Sequence, residues 1–340
     1  MSPKQGLPPS YCESVPHQDI LSSDVFAERH PDWPSISVTF YFSPHGNASD
    51  IEGIAPYLEK ADILLYENSR AELTERFQQV AAKEADVRPV NIMVKEDEIY
   101  GKPIQGSAWE PLLRGIYKSG KAIGSIDLNE HEQHLRDGIV ESQSLPVEET
   151  FDEALASLGK ILRRNADLQN QRETIMAERF EEEITRILDE HPELKEKPRL
   201  NVLISIGAYH TRLRHALQEK GVQSEQHFPE SPYVYDYVNQ LTRTYAYGKE
   251  PTRELLEKAY LQALLHSAAQ AELSAVPGQY NHDKLERYLR SVVDAFNSEE
   301  IQQVYDLYKN QVLSVQLLDG ILSSKGLERL REALGKLPSR

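Results

Sequence analysis

The chain is organised around the stretch Asn201-Val-Leu-Ile-Ser-Ile-Gly-Ala-Tyr-His210. Its run of Val, Leu and Ile is typical of a β-strand that is buried on both faces. Gly207 interrupts the run, and the residues directly after His210 predict a helix. A strand, a glycine, a histidine and a helix in this order place the imidazole at the carboxyl edge of a sheet. Open α/β folds bind their ligands at that edge.

The same pattern recurs earlier in the chain. Three further predicted strands lead into a polar residue: residues 37–43 into His45, residues 61–67 into Glu67, and residues 121–127 into Asp127. Two imidazoles and two carboxylates are therefore expected at the carboxyl ends of strands. Imidazoles ligate metal ions or act as general bases, and carboxylates beside them ligate the same ion or activate a water molecule.

Each of these residues also has a structural interpretation. A histidine at a strand end is more often a hydrogen-bonded structural residue than a ligand, although two in matching contexts favour a functional site. Glu67 also suits the N-terminus of the next helix, where a carboxylate is stabilised by about 0.3–1 kcal/mol. Asp127 has the same two interpretations, with Asn129 as the better helix cap.

Composition and charge exclude several classes of protein. The formal net charge of −16 opposes binding to nucleic acid, and the single cysteine, Cys12, excludes an internal disulfide or a cysteine-based zinc cluster. No apolar run is long enough to cross a bilayer, and the N-terminus lacks the apolar segment of a secretory signal. A cytoplasmic location is therefore expected.

The fold expected is α/β, with a central mixed β-sheet flanked by helices and a C-terminal helical region. An N-terminal arm of residues 1–36, rich in Pro, Ser and His, is expected to be partly irregular. Residues 37–228 would form the α/β core, and residues 229–340 a helical region packed on it. Residues 231–247 contain five tyrosines in 17 residues, which suits the lining of a cleft, an interface or packing against the helices.

Several well-known motifs are missing from the sequence. It contains no Gly-x-Gly-x-x-Gly, P-loop, Gly-x-Ser-x-Gly or His-Glu-x-x-His motif. His131 and His134 are three residues apart, whereas the zinc-protease helix needs four. A nucleotide-dependent enzyme and a serine hydrolase are therefore disfavoured.

With these residues in place, the chain resembles a superfamily that includes the TraB/PrgY proteins, Tiki metalloproteases, GumN proteins, erythromycin esterase and haem-binding ChaN-like proteins. Its mark is two Gly-x-x-His motifs at strand ends, with a glutamate ending the strand after the first. Gly207-Ala-Tyr-His210 resembles the second motif, and Glu67 stands where that glutamate is found. Phe42-Ser-Pro-His45 resembles the first motif, with Phe42 in place of its glycine.

The resemblance extends over residues 37–228 by order and spacing. Gln171-Arg-Glu-Thr-Ile-Met-Ala177 is similar to the superfamily's Arg-(Asp/Asn)-x-x-Met-Ala helix, which implies that Arg172 faces the site. Glu173 stands where that helix usually carries Asp or Asn.

The resemblance implies a metal-dependent hydrolase that cleaves a peptide or ester bond. His45, Glu67 and His210, with Asp127 as a further candidate, would hold a divalent ion, and nitrogen and oxygen ligands suit Mn, Co, Zn or Fe. The ion would lower the pKa of its bound water, which attacks a carbonyl, while Arg172 would stabilise the developing oxyanion.

Two alternatives remain open at this point. The same pocket would bind haem or another small ligand without turnover in a ChaN-like protein. An interaction scaffold would use the helical region and the tyrosines as a partner interface. The expected partners are a small-molecule or peptide substrate and a second copy of the chain in a homo-oligomer, with no nucleic acid and no membrane span.

Overall fold

The computed structural model describes residues 26, 28–43, 48–67, 121–140, 145–228, 235–274 and 282–335. His45 and most of the N-terminal arm lie outside the described residues. The sequence also predicts a helix over residues 70–85 and a strand over residues 87–94, and both lie outside the described residues too.

The described strands form one five-stranded sheet: β1 (Ser35–Ser43), β2 (Ile63–Tyr66), β3 (Ala122–Ser125), β4 (Arg199–Gly207) and β5 (Gln223–His227). Their order is β3-β2-β4-β1-β5, and all four neighbouring pairs are parallel. The α/β class is confirmed. The sheet was expected to be mixed, but the strands that the structure describes pair only in parallel. Described helices carry the chain back between β1 and β2, between β3 and β4, and between β4 and β5.

The described helices flank the sheet and build the C-terminal region: α1 (Ala48–Lys60), α2 (Gln133–Val140), α3 (Phe151–Glu190), α4 (Thr211–Glu219), α5 (Tyr237–Ala246), α6 (Arg253–Ser274), α7 (His282–Asp294), α8 (Ser298–Lys309), α9 (Val315–Ser324) and α10 (Leu330–Gly335). Short 3₁₀ helices occupy Glu130–Glu132 and Pro192–Glu196. None of the helices in the described part of the chain is long and apolar enough to cross a membrane.

Helix α3 is 40 residues long and has a well-defined start. The Thr150 hydroxyl accepts a hydrogen bond from the backbone N of Glu153 at 3.2 Å, and the Glu153 carboxylate accepts one from the backbone N of Thr150 at 2.9 Å. This capping box satisfies two backbone donors that the first turn leaves free. The sequence predicts that residues 147–190 are helical, with a possible break near Gly159 or Asn165, but α3 continues through both. Gly159 instead lets a neighbouring helix approach, since an added Cβ would lie 2.8 Å from the Tyr245 hydroxyl.

Two hydrophobic cores meet along α3. Its first half packs against the C-terminal helices through buried side chains that include Leu155, Leu158, Leu162, Leu241, Leu261, Leu289 and Val293. Its second half packs against the sheet through Met176, Phe180, Ile184, Val202, Ile204 and Ile206, among others. Residues 167–175 lie between the two cores, and this part of α3 faces the carboxyl edge of the sheet. Ligand sites are common at such junctions.

Candidate active site at the carboxyl edge of the sheet

Three of the four predicted strand-end residues come together in one cluster. Glu67 follows β2 directly, Asp127 follows β3 by two residues, and His210 follows β4 by three. Because β2 pairs in parallel with both β3 and β4, the three chain segments leave the sheet side by side. The sheet topology therefore delivers one imidazole and two carboxylates to a single place.

Glu67 is the centre of this cluster. Its Oε1 lies 2.9 Å from Nη2 of Arg172 and 2.8 Å from Nε2 of His210. Its Oε2 accepts a hydrogen bond from the backbone N of Gly207 at 2.6 Å. Gly207 ends β4 and begins the turn to His210, so Glu67 fixes the position of the turn that carries the imidazole.

Arg172, contributed by α3, bridges the two carboxylates. Its Nε donates to Oδ1 of Asp127 at 2.9 Å and its Nη2 donates to Oδ2 at 2.8 Å. The guanidinium therefore binds that carboxylate through two parallel hydrogen bonds. Burial lowers the pKa of Arg172, but the charges of Glu67 and Asp127 outweigh burial and raise it. The guanidinium therefore stays charged, although its side chain is only 8% exposed.

The two carboxylates leave one nitrogen of this guanidinium unused. Its hydrogen bonds to Glu67 and Asp127 use only Nε and Nη2, and among the described residues Nη1 has no hydrogen-bond partner. Nη1 is therefore the donor that these contacts leave unused, while the rest of the side chain is held still.

His210 is fully engaged by its neighbours. Nδ1 lies 2.8 Å from Nε2 of Gln169, which also donates to Oε1 of Glu173 at 2.8 Å. An amide NH₂ group has two hydrogens, so Gln169 can donate to both. Nδ1 of His210 then accepts, and Nε2 carries the proton that it donates to Glu67. This assignment fixes the tautomer with the proton on Nε2.

Glu173 joins the cluster to the following helix. Burial raises the pKa of its carboxyl group. Its Oε2 accepts a hydrogen bond from the backbone N of Leu213, in the first turn of α4, at 2.5 Å. In the sequence Glu173 stands out only as a departure from a motif, and Gln169 was not predicted. Gln169 lies three residues before Arg172 and four residues before Glu173 on α3, and this spacing is the signal that places Gln169 beside each of them.

The described donors alone do not complete the expected metal centre. Within the residues that the structure describes, no group of three or more His, Cys, Asp or Glu side chains is arranged to hold a metal ion. A guanidinium occupies the space between the two carboxylates, and both carboxylate oxygens of Asp127 accept from it. The predicted metal centre also includes His45, which lies outside the described residues. Ser43, at the end of β1, pairs with Gly207, so the chain leaves β1 beside the turn of His210.

For the haem alternative, the described part of this cluster offers no histidine with an unshared ring nitrogen for the iron. An axial histidine binds iron through an unshared ring nitrogen. Both ring nitrogens of His210 face close polar partners, Gln169 on one side and Glu67 on the other. Binding an iron atom at His210 would first have to break one of these contacts.

The tyrosine-rich segment covers the turn between β4 and α4. The Tyr235 hydroxyl lies 3.4 Å from the backbone oxygen of Ala208, and Nδ2 of Asn239 donates to the Tyr209 hydroxyl at 2.7 Å. Residues 235–247 therefore pack against the candidate site, and part of the segment also enters the helical core through Tyr237 and Tyr245.

Comparison of the chain with protein-family models, with curated proteins and with solved structures found no match. The superfamily resemblance thus stays a prediction that rests on its motifs.

Proposed function

We propose that this chain hydrolyses an ester or a peptide bond at the carboxyl edge of its sheet. The observation that supports this most is the state of Arg172. Two carboxylates hold its guanidinium in one orientation, while Nη1 donates to none of the described residues. A donor that is already oriented and largely shielded from water stabilises negative charge as it develops, because little reorganisation is needed during the reaction.

Glu67 is the proposed general base. Its side chain is 13% exposed and that of His210 only 2%, so the carboxylate is the group that a substrate water can reach. Glu67 takes a proton from the water, and the water oxygen bonds to the carbonyl carbon. Arg172 stabilises the resulting oxyanion. When the carbon–oxygen or carbon–nitrogen bond breaks, the leaving group receives the proton from Glu67.

His210 acts on Glu67 and does not contact the substrate in this scheme. Its Nε2–H bond to Oε1 and the Gly207 backbone bond to Oε2 hold the carboxylate in place. No step above needs a metal ion. Metal dependence is a separate prediction that requires His45, and it is tested by the same experiment.

The experiment is hydrolysis of a panel of chromogenic esters and peptides by the full chain. Each substrate is tested with a chelator and with Mn, Co, Zn or Fe. The informative variant is Arg172→Lys, which keeps the positive charge but loses the planar arrangement of donors. Losing an oxyanion donor typically costs about 100- to 1,000-fold in kcat, so a loss of this order with little change in KM is expected.

Arg163→Lys is the matched control for this substitution. Arg163 also lies on α3, but it is half exposed and pairs with Glu250 at 2.7 Å on the surface. Its kcat should equal that of the unaltered chain. Equal turnover in Arg172→Lys and Arg163→Lys would refute the role of Arg172.

A further inference from the structure

Tyr209 is the one aromatic residue in the described part of the chain that is exposed to solvent. It is 53% exposed, whereas every other described Phe, Tyr and Trp residue is buried or half-buried. It lies between Ala208 and His210, in the turn that leads from β4 to the candidate site. Both of these neighbours are buried, at 1% and 2% exposure. The turn therefore presents a single large side chain to solvent.

A tight turn directs this side chain away from the core. The backbone N of His210 donates to the backbone O of Gly207 at 3.0 Å, so Ala208 and Tyr209 are the two central residues of a β-turn. Ala208 packs into the core beside the sheet, and Tyr209 occupies the outer position. Gly207 and His210, at the two ends of the turn, both bond to Glu67. Tyr209 therefore projects from the same turn that binds the proposed general base.

The hydroxyl group of Tyr209 is held by the first turn of α5. Nδ2 of Asn239, a buried residue, donates to this hydroxyl at 2.7 Å. The same Nδ2 donates to Oδ2 of Asp236, whose Oδ1 accepts from the backbone N of Asn239 at 2.7 Å. The side chain is thus fixed at both ends, by the β-turn and by α5. A ring that is already fixed loses little conformational entropy when a ligand packs on it, which favours binding.

The side chains beneath the turn differ from Tyr209 in their chemistry. Glu67, Asp127 and Arg172 bind one another through charge-assisted hydrogen bonds. Such groups suit a carbonyl, a water molecule or a developing oxyanion. The tyrosine ring supplies what they lack, because it combines a large apolar body with a polar tip. A ligand that covers this ring removes apolar surface from water, which is favourable.

We propose that the ring of Tyr209 binds a flat apolar group of the substrate, such as an aromatic side chain next to the bond that is cleaved. The two rings pack in an offset or edge-to-face arrangement, while the carbonyl group lies between Glu67 and Arg172. That this group belongs to the substrate of a hydrolase rests on the proposed function. That Tyr209 binds an aromatic group does not.

Ligand-observed NMR titration of the full chain measures this binding directly. The probes are acetyl-Phe-amide, acetyl-Gly-amide, which lacks the ring, and acetyl-Lys-amide, which carries a cation in place of the ring. The Kd of acetyl-Phe-amide should be at least about tenfold lower than that of either other probe, because only this probe adds a ring–ring contact. Equal Kd values for the three probes, or tighter binding of acetyl-Lys-amide, would overturn the proposal.

Substitutions locate the binding. Tyr209→Ala should raise the Kd of acetyl-Phe-amide about tenfold, and Tyr209→Leu, which also lacks the ring, replaces it if that variant does not fold. Tyr209→Phe loses only the hydroxyl contact with Asn239, so its Kd should stay within about threefold. Val312→Ala is the control, since Val312 is similarly exposed, at 57%, but lies between α8 and α9. Equal Kd values in Tyr209→Ala and Val312→Ala would overturn the proposal.

Hydrolysis separates the role of Tyr209 from the proposed function. With the methyl esters of acetyl-Phe and acetyl-Gly as substrates, the ratio of their kcat/KM values should fall about tenfold in Tyr209→Ala, mainly through the KM of the Phe ester. Hydrolysis of both esters with an unchanged ratio would refute the role of Tyr209 and keep the proposed function. Binding that depends on Tyr209, with hydrolysis of no substrate, would refute the proposed function and keep the role of Tyr209.

Discussion

The strand β2 is bracketed by two carboxylates that make the same backbone contact at opposite edges of the sheet. Asp62, just before β2, accepts a hydrogen bond from the backbone N of Asn201 at 2.8 Å. Glu67, just after β2, accepts one from the backbone N of Gly207 at 2.6 Å. Both donors belong to β4, so each acid ties β2 to the same neighbour.

The two edges differ in what neutralises the acid. At the amino edge, Lys197 binds Asp62 at 2.6 Å with its side chain 46% exposed. At the carboxyl edge, Arg172 is almost entirely buried between Glu67 and Asp127. A hydrated lysine on the surface adds little free energy, whereas a buried guanidinium loses most of its hydration and depends on its partners. Buried counter-charge, rather than the backbone contact, is what distinguishes the carboxyl edge.

Replacing the cation at each edge should give the largest difference in the free energy of unfolding between the two edges. Arg172→Met should lower the free energy of unfolding by about 3–5 kcal/mol, because it leaves two buried carboxylates without a cation. Lys197→Met at the amino edge should cost less than about 1 kcal/mol. Urea unfolding measures both values, and equal losses would show that burial of the guanidinium does not matter.

Asp236, a partly buried carboxyl group, extends the same comparison. Burial raises the pKa of Asp236 from 3.8 to about 6, and Asp236 forms no ion pair within the described residues. Folding therefore favours its protonated form, so the stability present below about pH 4 is lost as the pH rises through about 6. A change of this size corresponds to about 3 kcal/mol.

Asp236→Asn isolates this effect. Oδ1 of Asp236 caps α5 by accepting from the backbone N of Asn239 at 2.7 Å, and asparagine caps a helix equally well. Relative to the unaltered chain, the free energy of unfolding of Asp236→Asn should rise by about 3 kcal/mol from about pH 4 to about pH 7. A pH-independent difference would mean that Asp236 is ionised normally.

Glu183 offers an intermediate case. It accepts from the backbone N of Ser125 in β3 at 2.9 Å, and Arg186, whose side chain is 22% exposed, binds it with two hydrogen bonds. Arg186→Met should therefore cost about 1–3 kcal/mol, between the values for the two edges. A loss as large as that of Arg172→Met would contradict the proposed relation between the exposure of the cation and the free energy of unfolding that its removal costs.

The meeting of Glu67, Asp127 and His210 could be predicted from the sequence because it follows from local patterns. Each residue lies within three residues of the end of a short strand, and parallel strands present their carboxyl ends at one edge. Arg172 was placed only by resemblance to a motif. The position of His45 stays a prediction, as do the metal ion and the domain boundaries.

The contacts that lock the cluster could not be predicted in this way. Glu173 bonds to the backbone of Leu213, 40 residues away, and this contact depends on how α3 crosses the start of α4. Likewise, Gly159 suggested a break in α3, because glycine has low helix propensity. The close approach of Tyr245 explains the glycine instead. In both cases packing between distant segments decided the outcome.

The most direct test compares kcat/KM for Glu67→Gln with that for Asp62→Asn, on any substrate that the unaltered chain hydrolyses. Each variant neutralises one acid beside β2 and keeps an acceptor for the backbone of β4. Glu67→Gln should lose at least about 100-fold, as expected for removal of a general base, while Asp62→Asn should stay within about twofold. Equal activity in the two variants would contradict the assignment of catalysis to the carboxyl edge.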